Sequence, residues 1–499
     1  MPNPLKKLAG QTAIYGLSSI IARLLNYLLT PLYTSEHVFD PEQYGIITEM
    51  YAYVAFLIIF LTYGMETAFF RFIGKDASKK VIVFATAAKS LIITSLLFML
   101  GAVLFSEPIG RALHYPNHTE YVVWFAIIVG LDAISTLPLA LLRSEDKALR
   151  FAGVNMVNVG INIGLNLFFL AYCLPKFQAG ESNWLIETFY DPEIGVGYVF
   201  ISNLLASIVK FLLLSPYLLR ARGFDKKLLK EMLRYALPLL VVGIGWYVNE
   251  NFDRIMLKFL LFDKLGEVET MKMVGIYGAN YKLSIVIMLF IQAFRYAADP
   301  FYFGRQGKPG AEKIYASLMT YFIIIVCIIF LMVTLFIDVF KNFIPNEVYW
   351  AGLGTVPILL MANIFQGVYY NLSFWYKFID KTKYGAYMAI LGASITLILN
   401  FIFIPEYGYR ACAWVTFTAY GSIMVLSYFI GQRYYPIPYE LKRIGAYLGG
   451  TVVIYFLFGY LKEMVPFHPL ILASGFFFGF MAVTYVMEKS RVKALRMED

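Results

Sequence analysis

The chain has 499 residues, of which 60% are hydrophobic and only 15% charged, with a mean hydropathy of +0.65. Soluble domains carry roughly 25% charged residues, so a soluble enzyme or carrier is excluded. The formal charge of +9 would suit a nucleic-acid partner, but the basic residues are parcelled into alternate loops, which argues against one.

A helix needs about 20 apolar residues to cross a bilayer. Fourteen such stretches are predicted, centred near residues 21, 57, 93, 130, 161, 207, 248, 288, 326, 364, 394, 421, 451 and 478. Met1 to Gly10 is too short and polar for a cleavable signal, so the first span is expected to be retained. In that span Tyr15, Ser19, Arg23, Asn26 and Thr30 recur at steps of three and four and share a face. The second span carries Glu49 and Glu66, and the fourth carries Asp132. The fifth shows a row of Asn155, Asn158, Asn162 and Asn166, which fits either a cavity wall or hydrogen-bonded glue between helices.

The second half reads similarly. A basic, amphipathic link from Arg220 to Arg234 leads into the seventh span, where Tyr247, Asn251, Arg254 and Lys258 align, with Glu250 one turn before Arg254. The eighth aligns Tyr281, Ser284, Gln292, Arg295 and Asp299. The tenth aligns Asn363, Gln366, Tyr370, Ser373 and Lys377. Glu250–Arg254 and Arg295–Asp299 are i, i+4 pairs and read as neutralising salt bridges, and Asp253 adds a further carboxylate. Glu66 and Asp132 have no evident local partner. Either would carry a coupling proton or cation, or pair across helices.

With Met1 inside, one set of loops and span ends collects 28 Lys and Arg residues, and the opposite set holds seven. This positive-inside bias predicts that both termini are cytoplasmic. Seven more basic residues fall within spans: Arg23, Lys89, Lys210, Arg254, Lys258, Lys282 and Arg295. Each would cost about 2.5–3.5 kcal/mol at the bilayer centre on insertion scales. Lys258 is near a helix end and is expected to snorkel, and Lys89, Lys210 and Lys282 are candidates for the same. Arg23 and Arg254 are too deep for that and are expected to face a shared cavity, with structural ion pairs within a lobe as the alternative.

Cys173, Cys327 and Cys412 are too scattered for a disulfide framework or a metal site. His37, His114, His118 and His468 fall in expected external loops. His114 and His118 have Pro116 between them and no acidic partner, so no zinc site is predicted. No nucleophile elbow, phosphate loop or dinucleotide fingerprint occurs, and no catalytic residue is expected.

The chain also repeats itself. Asp146-Lys147 and Asp380-Lys381 are 234 residues apart, and each is followed eighteen residues on by a related run, Leu165-Asn166-Leu167-Phe168 and Leu399-Asn400-Phe401-Ile402. Tyr44-Gly45-Ile46 recurs as Val274-Gly275-Ile276 at an offset of 230. The repeat predicts an all-α polytopic membrane protein of two parallel six-helix lobes around a central cavity, plus two extra C-terminal helices. The expected boundaries are 1–222, 223–438 and 439–499.

Leu29-Thr30-Pro31-Leu32-Tyr33, Pro41-Glu42-Gln43-Tyr44-Gly45 and Gly64-Met65-Glu66-Thr67-Ala68-Phe69-Phe70-Arg71-Phe72 resemble the opening of bacterial polysaccharide exporters. These form the flippase branch of the multidrug/oligosaccharidyl-lipid/polysaccharide (MOP) superfamily. The Gly195-Val196-Gly197 entry and the fourteen spans extend the resemblance over the whole chain. It implies a bacterial inner-membrane transporter, with no cofactor, that moves an undecaprenyl-diphosphate-linked oligosaccharide to the periplasmic leaflet by alternating access, as in O-antigen or capsule biosynthesis.

Arginine suits a diphosphate, so Arg23, Arg254 and Arg295 are the expected head-group ligands. Asn26, Asn251, Gln292, Gln366 and Tyr370 are the expected sugar ligands. Glu66 and Asp132 are the candidates for coupling to a proton or sodium ion, with a fixed Glu66–Arg71 bridge as the alternative for Glu66. Expected partners are the lipid-linked sugar, membrane lipids and polysaccharide-assembly proteins, with no nucleic acid. A lipid II flippase, a multidrug or cation antiporter of the same superfamily, and a membrane polysaccharide polymerase or ligase are the alternatives.

Overall fold

The computed structural model describes residues 20–464 and 468–498. Every one of the fourteen expected spans is helical at its centre, and no strand occurs among the described residues. Among the described residues twelve helices are long and apolar enough to cross a membrane: α2 Pro41–Lys75, α3 Ala77–Leu104, α4 Thr119–Ser144, α5 Ala148–Gln178, α6 Gly197–Leu219, α8 Glu267–Arg305, α9 Ala311–Leu335, α10 Glu347–Phe378, α11 Lys383–Tyr407, α12 Tyr409–Tyr434, α13 Leu441–Met464 and α14 Pro469–Lys489. The other two are α1 Ile20–Tyr33, which is shorter, and α7 Lys226–Leu265, whose 40 residues are more polar. The basic stretch expected as a link is largely the first two turns of α7, capped by the Asp225 carboxylate on the Lys227 and Leu228 N–H groups. Tyr15 and Ser19 lie outside the described residues.

Local chemistry sets the helix ends. Asp40 and Gln43 form a reciprocal capping box with Pro41 at the first helical position, the sequence signature of a helix start. Within α2, Tyr63 and Gly64 both have left-handed backbones (φ 33° and 71°), splitting it into Pro41–Thr62 and Met65–Lys75. Gly64 lies against α7, where an added Cβ would stand 2.9 Å from the Ala236 carbonyl oxygen.

The repeat has a structural meaning at both motifs. Asp146 and Asp380 are non-glycine residues with φ of 58° and 53°. In each case the following lysine N–H donates five residues back, Lys147 to Leu142 at 2.9 Å and Lys381 to Tyr376 at 2.8 Å. This is the Schellman stop that ends a helix, with aspartate tolerated in the left-handed position. The duplicated Asp-Lys is therefore a turn that reverses the chain between α4 and α5 and again between α10 and α11.

Gly45 and Gly275, the second repeated motif, meet each other. A methyl on Gly45 would overlap the Met271 carbonyl oxygen, and one on Gly275 would overlap the Pro41 carbonyl oxygen. Residue 41 plus 230 is 271, so the contact is reciprocal, as at a local two-fold axis. Only glycine lets the two backbones come this close.

By packing, the chain divides into two compact units, residues up to Gly278 with Asn400–Gly408, and Ala279–Leu399 with Tyr409–Asp499. In the first, α4 packs on α3, α6 and α2, α6 on α5, and α7 on α2. Its core includes Met65, Phe69, Phe84, Leu91, Leu137 and Met232. In the second, α10 packs on α12 and α9, and α13 and α14 lie on α9 and on each other.

The last two helices enclose an apolar groove of about 600 Å³, lined by residues such as Tyr447, Ile454, Phe476, Phe480 and Met487. Polar ties hold α13 near each of its ends. Arg443 on α13 pairs with Glu488, which also accepts from the Tyr447 hydroxyl at 2.6 Å. At the other end Lys462 donates to Asp338 at 2.6 Å, and Lys341 pairs with the same carboxylate at 3.0 Å. The Lys462 hydrogen bond above all, then Lys341, holds the Asp338 carboxyl below its ordinary value of 3.8. Its stabilising contribution is complete above that value and disappears as pH falls through the lower folded one. Thermal melts between pH 6 and pH 3 should therefore show an acid-side loss that Lys462→Met reduces.

Candidate functional site

The first unit holds the most deeply buried charges. Lys258 on α7 is fully buried, with its Nζ 2.9 Å from the Glu49 carboxylate of α2, also fully buried. The same ammonium donates to the Leu113 carbonyl at 2.7 Å and lies 3.7 Å from the Tyr115 ring centroid. Glu49 accepts from the Tyr53 hydroxyl at 2.9 Å and from Tyr115. Lys258 does not snorkel; it knots α2, α7 and the segment after α3 together. A buried pair repays its desolvation only when its remaining donors and acceptors are satisfied, and the two tyrosines and the carbonyl do that here.

Arg254, one turn earlier, is 6% exposed. Its guanidinium pairs with Asp253 at 3.0 Å, donates to the Glu250 carbonyl oxygen at 2.9 Å and to Asn251 at 3.4 Å, and lies 5.6 Å from the Tyr277 ring. Asp253 also accepts from the Tyr277 hydroxyl at 2.6 Å. Arg23 and Asn26 are exposed on α1. Asn26 accepts from Asn162 at 3.1 Å, and Asn166 accepts from Tyr33 at 2.8 Å. These two members of the α5 asparagine row are thus ties to α1.

The two carboxylates without local partners pair across helices. Asp132 on α4 meets Lys210 on α6 at 2.6 Å. Glu66, just past the Tyr63-Gly64 break, pairs with Arg143 on α4. The Glu66–Arg71 bridge is corrected: Arg71 lies 3.9 Å from the Tyr235 ring of α7. Arg143 is at the same time 5.1 Å from the Phe70 ring.

In the second unit, Tyr370 of α10 stands where a direct Arg295–Asp299 bridge was expected. Its hydroxyl donates to the two Asp299 oxygens at 2.9 and 3.0 Å, and Arg295 is 3.9 Å from its ring centroid. Gln366 donates to the Tyr420 hydroxyl at 3.4 Å and Asn363 to the Ser284 carbonyl at 3.1 Å. Gln292 is partly buried on α8. Among the described residues no cluster of three or more His, Cys, Asp or Glu side chains could hold a metal ion. His118 does have an acidic neighbour that the sequence did not suggest, Glu120 at 2.8 Å, while the His114 ring lies 3.9 Å from that of Phe262.

Sequence reasoning flagged the charged residues but missed Glu49 as the partner of Lys258. The only signal was two opposite charges left in apolar spans with no neighbour to neutralise them.

A bundle of this length, with paired and ring-bound charges inside apolar helices, is that of an all-helical polytopic membrane protein. Over 94% of its length the chain is similar to the lipid II flippase MurJ in an inward closed conformation, with a TM-score of 0.69, 14% identity and 98% of that chain covered. Over 88% it is similar to an inward-facing multidrug resistance MATE transporter of the MOP superfamily, with a TM-score of 0.61, 15% identity and 96% of that chain covered. A MOP transporter from Pyrococcus furiosus, noted for a binding pocket of reversed polarity, matches at 0.51 with 14% identity, covering 88% of this chain and 96% of that one. No curated protein sequence matches. The polysaccharide biosynthesis protein family model matches residues 8–300, and the chain belongs to that family.

Proposed function

We infer that the protein flips an undecaprenyl-diphosphate-linked oligosaccharide from the cytoplasmic to the periplasmic leaflet of a bacterial inner membrane by alternating access, with both termini in the cytoplasm. The observation that carries this reading is the set of arginines kept within otherwise apolar helices of a polysaccharide-biosynthesis family member. Arg23 and Arg295 remain exposed, and Arg254 is buried beside Asp253. Guanidinium groups bind phosphate oxygens in pairs, which suits a diphosphate lipid better than a cationic drug. Asn26, Asn251, Gln292, Gln366 and Tyr370 offer amide and hydroxyl groups for sugar, and the α13–α14 groove offers an apolar bed for a polyprenyl tail.

The likeness to MurJ across nearly the whole chain favours lipid II as the second reading. Proteoliposomes containing the purified protein, loaded with either a fluorescent lipid-linked oligosaccharide or fluorescent lipid II, decide between them. Flipping of lipid II alone would overturn the first reading, and flipping of neither would overturn both.

Transport coupling centres on Glu66. Its bond to Arg143 ties the short arm of α2, beyond the Tyr63-Gly64 break, to α4. Neutralising the carboxylate by a proton would release that arm, a charge change acting on a jointed element. Glu66→Gln should make flipping insensitive to an imposed pH or sodium gradient. Gradient dependence equal to that of the unaltered protein would remove Glu66 from the mechanism and leave Asp132, whose pairing with Lys210 offers the same chemistry.

A further inference from the structure

The two halves of the repeat carry the same charged pair, but only one half neutralises it. Arg143 plus 234 is Lys377, and Glu66 plus 233 is Asp299. In the first unit Arg143 and Glu66 form an ion pair. In the second, the Tyr370 hydroxyl spans both oxygens of Asp299 at 2.9 and 3.0 Å. Lys377 rests on aromatic rings, 4.7 Å from the Tyr370 centroid and 4.5 Å from that of Phe374. Arg295 lies on the same Tyr370 ring at 3.9 Å. Among the described residues neither cation has a carboxylate within ion-pair distance, so two positive groups share the ring of one tyrosine while its hydroxyl holds the nearby Asp299 carboxylate.

Cation–π contacts recover only part of what a deep arginine costs in a bilayer. Arg295 sits about 15 Å of helix from the α8 end at Arg305, and Lys377 lies at the last turn of α10. A cationic pair reaching from a helix mouth inward is completed by an anion that enters from the head-group level. The preorganisation is of the right kind: Arg295 supplies a planar fork, Lys377 a mobile point charge, and Tyr370 fixes both.

The geometry points to a phosphate-ester site formed by Arg295, Lys377 and Tyr370 within the second unit. It occupies the place in the second half of the repeat that an ion pair fills in the first, and Lys377 is its specificity-determining residue. The inference takes from the proposed function only that a phosphate-bearing lipid reaches the protein. The phosphate belongs either to the lipid-linked substrate or to a membrane phospholipid.

The test uses the full-length protein in neutral detergent, with undecaprenyl diphosphate and dioleoylphosphatidylglycerol as separate probes and binding read from the ligand-dependent shift of the thermal midpoint. Lys377→Gln and Arg295→Gln should each weaken binding about tenfold or more, the scale of one charged hydrogen bond. Lys377→Arg should restore it, and Lys308→Gln, in the exposed turn before α9, should leave it unchanged. In the unaltered protein, which avoids any folding defect, bound probe should protect Lys377 but not Lys308 from an amine-reactive label. Equal effects of the two probes would assign the site to phospholipid, and an effect of the diphosphate alone to substrate. Undiminished affinity in both Gln variants, with Lys377 labelled at the same rate with and without either probe, would overturn the site. In that outcome continued flipping leaves the proposed function standing. Phosphate-ester binding that depends on Lys377 in a protein that flips nothing would sink the function and keep the site.

Discussion

Lys258→Met is expected to be among the most damaging single substitutions in the chain. Removing one partner from a fully buried ion pair leaves the other charge uncompensated and costs about 3–5 kcal/mol. Here it would strand Glu49 among Tyr53, Tyr115 and apolar helix surface, with the Leu113 carbonyl losing its donor as well. Cys173, Cys327 and Cys412 are all buried, so a thiol-reactive fluorophore reports unfolding of the detergent-solubilised protein directly. The variant should melt well below the unaltered protein. The double variant Glu49→Gln/Lys258→Met should recover most of the loss, because it removes both charges while keeping shape. Such non-additivity is the signature of a direct pair. A single variant that melts with the unaltered protein would refute the knot as the tie between α2 and α7.

Gly275→Ala should be comparably severe by a different route. Its added methyl would overlap the Pro41 carbonyl oxygen, and the Gly45 N–H lies 2.9 Å from the same point. Neither obstacle is a flexible side chain, so α2 and α8 must separate along the crossing. Overpacking costs typically about 1–3 kcal/mol, and rigid backbone on both sides puts this site at or above the upper end. Gly45→Ala should do the same through the Met271 carbonyl, and the double variant should lose less than the sum, since one separation of the helices relieves both clashes. The controls are Gly153→Ala on α5 and Gly449→Ala on α13, where nothing lies within 4 Å of an added Cβ. Melting of Gly275→Ala alongside these controls would mean the crossing is not close-packed.

The two unusual glycines and the two unusual aspartates were visible in the sequence as a repeat, but their meaning was not. Identity at a fixed offset says that two places in the chain obey one constraint. It does not say whether the constraint is a helix stop, as at Asp146 and Asp380, or a close crossing, as at Gly45 and Gly275. Similarly, Arg143 read only as a basic loop-end residue, and Lys377 as the end of the polar row in the tenth span. Their opposite fates, one paired with Glu66 and one left on aromatic rings, turn on a single tyrosine 71 residues from Asp299.

By itself the sequence determined the fold class, the fourteen helices and the kinship with the polysaccharide biosynthesis protein family. Each is written in local quantities: runs of apolar residues as long as a bilayer is thick, alternation of basic loops, caps and stops at helix ends. It also named the expensive residues, because a charge inside an apolar run is conspicuous without knowing its neighbours. Only the tertiary structure decided how each charge is compensated. Lys258 and Glu49 are 209 residues apart, and Arg143 and Glu66 are 77 apart. Pairing at such separations depends on which helix faces meet and at what height, a relation between surfaces that no local spacing along one strand of sequence records.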